Sequence, residues 1–173
     1  MSDGVDSTSK MKFDLVAPLV EKSDASVYFL ELNTEAATLE GLMKPNNDPG
    51  YLNLSQSQVD RYWAEYDPES LQRFKPREAL SKEMRREINE GLYTLARKEI
   101  RSLAQRAGGR VYPVKSLSDL MGVYKQVADD LRSQYSIGYY PSNKSRDGRW
   151  RSIRVETSTQ GSMVRARSGY WAK

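Results

Sequence analysis

From Glu78 to Ala107, apolar residues return first at every fourth position, Leu80, Met84, Ile88 and Leu92, and Leu95, Ile100 and Leu103 then continue the stripe. That recurrence follows one face of a 3.6-residue helix and predicts the longest element of the chain, with Gly108-Gly109 as its left-handed stop. A shorter helix is predicted over residues 14–22, where Leu15, Val16, Leu19 and Val20 fall on one side. Pro18 is tolerated there only near the first turn, which sets the expected start at Asp14. Residues 26–32 form a mostly apolar run of strand length, and residues 110–114 a second strand directly after the glycine pair. Ser116 and Asp119 suit a helix start, and Leu120, Tyr124, Val127 and Leu131 give that helix its apolar face.

Residues 33–77 break this rhythm. Pro45-Asn46-Asn47-Asp48-Pro49-Gly50 is a turn cluster, and one short helix is expected over 57–66 before Asp67-Pro68. The stretch reads as an insertion too polar and interrupted for a second core, packed onto the domain through Tyr51, Tyr62, Trp63, Tyr66 and Phe74. The ending changes style again. Strands are expected over 135–140, 149–157 and 162–168, the last two joined around Gln160-Gly161. Alternating helices and strands imply a parallel sheet, and residues 135–173 are expected as an antiparallel β-extension on its edge.

Composition narrows the chemistry more than the fold. The chain has 173 residues, 38% hydrophobic and 29% charged, enough for one domain with a core. It has no cysteine and no histidine. Thiolate nucleophiles, disulfides, imidazole ligands and Ser–His–Asp hydrolysis are therefore excluded, leaving carboxylate, lysine, tyrosine or hard-metal chemistry. No carboxylate pair stands out for acid–base work, so no enzymatic activity is expected. The net charge of +4 is uneven: residues 144–173 hold eight basic and two acidic side chains, a balance of +6, against −2 for the rest. No apolar run approaches the ~18 residues of a membrane span. The first residues lack the basic and apolar stretches of a signal peptide.

Ser2-Asp3-Gly4, followed by Val5-Asp6-Ser7, resembles the end of the fourth strand of a von Willebrand factor A (VWA) domain. The stretches LARKEIRSLAQRAGGRVYPV (95–114), VYKQVADDLRSQYSIGYYPSN (123–143), DGRWRSIRVE and VRARSGYWA resemble the VWFA-related family common in Acidobacteria. The resemblance covers nearly the whole chain, residues 33–77 least securely. It implies a partial Rossmann-like, VWA-type α/β fold, one partial domain over residues 1–173, and protein–protein or matrix binding. It also implies a cell-envelope or extracellular location. The family's metal site begins with an Asp-x-Ser-x-Ser loop that this sequence lacks, so Asp3 alone carries over as a remnant ligand. Magnesium wants a near-octahedral oxygen shell that one carboxylate does not supply. No cofactor is expected for the chain alone, and magnesium or manganese only if the missing loops are supplied.

Two binding surfaces remain open. Asp3, Asn33 and the loop at 115–117 are expected at the carboxyl edge of the sheet, where ligands approach such folds. In the C-terminal hairpin, period-2 alternation sets Arg154, Arg165 and Arg167 on one face with Trp150 and Trp171 in similar parity. Interleaved arginine and aromatic residues suit single-stranded nucleic acid, and equally a protected sheet edge. The resemblance favours a protein partner over nucleic acid. A sheet missing its earlier strands has an unpaired edge, so self-association, or cover by residues 33–77, is expected.

Overall fold

The computed structural model describes residues 1–7, 9, 11–23, 25–69, 80–162 and 164–172. Among these residues helix accounts for 45% and strand for 11%. The elements are α1 (Phe13–Lys22), β1 (Tyr28–Leu32), α2 (Glu35–Met43), α3 (Gln56–Tyr66), α4 (Lys82–Arg106) and β2 (Arg110–Val114). A 3-10 turn (Leu117–Asp119) then leads into α5 (Leu120–Arg132), followed by β3 (Trp150–Ser152) and β4 (Gly169–Trp171). β1 and β2 form a two-stranded parallel sheet, and β3 and β4 a separate antiparallel one. Two compact units result: Met1–Met11 with Leu32–Glu99, and Lys12–Glu31 with Ile100–Lys173.

The first unit is built on the stripe of α4. Ile88 and Leu92 pack with Leu80, and against them sit Leu42 from α2, Leu54, and Val59, Tyr62 and Trp63 from α3. Residues 33–77, expected to be too polar for a core, thus supply five of the eight cluster residues. α2 was not expected at all, because Ala36, Ala37 and Gly41 blur its apolar face. Ser55 and Gln58 form a capping box at the start of α3, each side chain bonded to the other's backbone N–H, which fixes its first turn. Ser81 accepts the Met84 N–H at 3.2 Å at the head of α4. The expected helix start at Glu78, and Phe74, lie outside the described residues.

The second unit is organised by the end of α4. Gly108 takes a φ of +67°, its N–H bonds Gln105 O at 3.1 Å, and the Gly109 N–H bonds Ala104 O at 2.8 Å. This is a Schellman stop, and it turns the chain into β2 at once. A Cβ on Gly109 would lie 1.9 Å from the Val27 carbonyl oxygen, so the backbone segment before β1 approaches as only glycine permits. Tyr112 and Val114 of β2 are buried, and Tyr112 stacks on Tyr28 at 6.3 Å between ring centroids. α1 starts at Phe13, so Pro18 falls in its second turn, where the missing N–H removes one helical bond.

The expected β-extension is corrected in two ways. Residues 135–140 form no strand and stay exposed, because alternation nominates a strand but only a partner supplies its ladder. Second, the hairpin shrinks to three residue pairs, Trp150 with Trp171, Arg151 with Tyr170 and Ser152 with Gly169. The described residues of 162–168 are not strand; Met163 lies outside the description. The pairing segment is C-terminal to the expected one, and the pair stands apart from the β1–β2 sheet.

Candidate functional site

Asp3 sits where the N-terminal segment meets the end of β1: the Leu32 N–H bonds the Ser2 carbonyl at 3.0 Å. Its carboxylate is spoken for on both oxygens. Oδ1 accepts the Val5 N–H at 3.1 Å and Oδ2 accepts the Thr34 hydroxyl at 2.7 Å. Thr34 Oγ1 lies 2.8 Å from Tyr93 Oη, which lies 2.9 Å from Thr38 Oγ1. Each hydroxyl carries one proton and a carboxylate only accepts. All three contacts are satisfied only if Thr38 donates to Tyr93, Tyr93 to Thr34, and Thr34 to Asp3. Tyr93 is buried, so this relay holds α2 to α4 through a fully used polar contact. Beside it, Arg97 of α4 grips Glu35 Oε2 with two guanidinium nitrogens, at 2.7 and 2.5 Å.

Such a cluster orients and cross-links. One carboxylate and a chain of hydroxyls already donating to one another do not assemble the octahedral shell magnesium requires. Among the described residues, no three acidic side chains converge as metal ligands. The Ser-Asp-Gly context singles out Asp3 in the sequence, but not its partners. Thr34, Thr38 and Tyr93 were not legible, since the hydroxyl contacts span sequence separations of 31, 59 and 55 residues.

The basic C-terminal set is dispersed. Trp150 packs edge-to-face on Trp171, 5.5 Å between centroids. Arg154 extends beyond β3, exposed, and pairs with Glu156 at 2.6 Å. Arg165 reaches Asp130 of α5 at 3.2 Å, where Arg110 also arrives at 3.3 Å. Arg167 is half-buried beside Gly108. The alternating face expected of these arginines does not form, because the ladder ends before it reaches any of them.

Asp130 binds the second unit together. The Tyr112 hydroxyl donates to it, and that bond, aided by Arg110 and Arg165, holds its carboxyl below the usual carboxylate range against the opposing effect of burial. Burial, then the bond to Asp130, pushes Tyr112 up to about 12.

Large apolar side chains of the same unit face solvent. Met121 is 79% exposed, Tyr135 90%, Ile137 71% and Tyr140 96%, with Tyr124 and Leu131 also exposed. Val123 is the buried residue of α5; of its expected apolar face, Leu120 and Val127 are half-buried and Tyr124 and Leu131 exposed. Residues 133–143 carry no charge at all. Among the described residues, no helix is long and apolar enough to cross a membrane. No family model, no curated protein and no solved structure matches this chain.

Proposed function

We propose that this chain is a non-enzymatic protein-binding module, akin to the C-terminal part of a VWA-like domain, whose partner docks on apolar surface rather than through a metal ion. The observation that carries this reading is the exposure of Met121, Tyr124, Leu131, Tyr135, Ile137 and Tyr140 along one uncharged stretch and the helix before it. Soluble proteins seldom leave aromatic and aliphatic surface of this kind uncovered, and tyrosine-rich exposed segments are the usual anchors of interfaces. The VWA-like descent is supported by the Ser-Asp-Gly tripeptide lying beside the end of β1 and by the helix–strand order that follows. Nucleic-acid binding through the hairpin gains no support, because Arg154 and Arg165 are engaged by carboxylates and Trp150 by Trp171.

The test is a triple substitution, Tyr135→Ser, Ile137→Ser and Tyr140→Ser, in chain immobilised and exposed to extract of the cells that make it. All three side chains are exposed, so folding should be unaffected, as an unchanged melting curve would verify. A stoichiometric partner retained by the parent and lost by the variant is expected. Equal retention by both removes the reading.

A further inference from the structure

A cavity of about 430 Å³ opens where the end of α4, the start of β2 and the segment before β4 come together in the second unit. Arg101, Arg110 and Arg165 line it from these three segments, together with Gly108 and Gly109. Arg110 and Arg165 share the single carboxylate of Asp130, and among the described residues Arg101 has no ion pair. Three cations against one anion leave two positive charges facing one cavity. The carbonyls at the end of α4, which would repel an anion, are already occupied by the Schellman bonds from Gly108 and Gly109.

The volume lies in the range of small-molecule sites and is far larger than one oxyanion needs. Val111 and Val164 add apolar wall. From this we propose that the cavity binds a phosphate monoester on a small organic body. The phosphate is a compact dianion near neutral pH that matches the residual charge, and guanidinium forks recognise its oxygens in pairs. A dicarboxylate carries the same charge spread over two distant ends, which suits convergent arginines less well. The site is distinct from the apolar docking stretch and does not depend on it.

Titration calorimetry of the full chain with phenyl phosphate, at constant ionic strength, reads the proposal directly. One saturable site per chain is expected, weakened about tenfold or more by Arg101→Gln and unchanged by Arg132→Gln, an exposed arginine of α5 outside the cavity. Amide resonances of Gly108 and Gly109 should move along the titration. Absence of saturable heat, equal weakening in both variants, or shifts confined to residues away from the cavity overturns it. Succinate binding as tightly as phenyl phosphate overturns the phosphate assignment.

Discussion

Asp130 accepts from Tyr112 and Arg110 of β2 and from Arg165 before β4, three donors from two stretches of chain, and its charge is what they hold. Its folded carboxyl titrates below the unfolded value of about 3.9. A depressed carboxyl contributes stability that is fully present above the unfolded pKa and lost as pH falls through the folded one. Asp130→Asn resembles the protonated carboxyl, so the gap between parent and variant should be full above about pH 5 and close progressively below about pH 4. Denaturant midpoints measured across that range check this, and a gap independent of pH contradicts it. At the same scale, Asp3 acts as a structural tie: one oxygen holds the Val5 N–H of its own turn and the other the Thr34 hydroxyl just before α2.

Two glycines separate the effect of helix propensity from that of packing. Gly122 lies in α5 with nothing within 4 Å of an added Cβ, so Gly122→Ala should stabilise by about 0.8–1.0 kcal/mol. Gly91 lies in α4, where a Cβ would meet the Tyr62 ring at 2.4 Å and Tyr66 at 3.1 Å. Tyr62 is buried and tied to Glu87 at 3.0 Å, so it has little room to yield. Gly91→Ala should therefore destabilise by about 1–3 kcal/mol despite the same gain in propensity. Unfolding curves of both variants decide it, and a stable Gly91→Ala would show that the α3–α4 contact is loose. The elements themselves were legible in proportion to how locally they are determined. α4, α3, β2 and the glycine stop follow from spacing and capping within one segment. β4 and the missing strand at 135–140 depend on which distant segment offers a ladder, and α2 reaches the core through Leu42 with a composition too small-sided to advertise a face. The apolar stripe of α5 was plain in the sequence, but a periodic face reports amphipathicity and not what covers it.

For the whole molecule, the open question of cover becomes a question of assembly. The β1–β2 sheet has two strands, fewer than a stable isolated sheet requires, and Pro113 in β2 is a residue tolerated on edge strands. A sheet of two strands and the uncharged exposed segment at 133–143 each favour contact with a second chain. Sedimentation across a concentration series should therefore show reversible self-association. The triple serine variant tells the two surfaces apart. Loss of association in that variant assigns the contact to the segment at 133–143, whereas persistence excludes that segment and leaves the sheet edge or the exposed side chains of α5. A single monomeric species at every concentration overturns the expectation, since it means that neither surface recognises another copy.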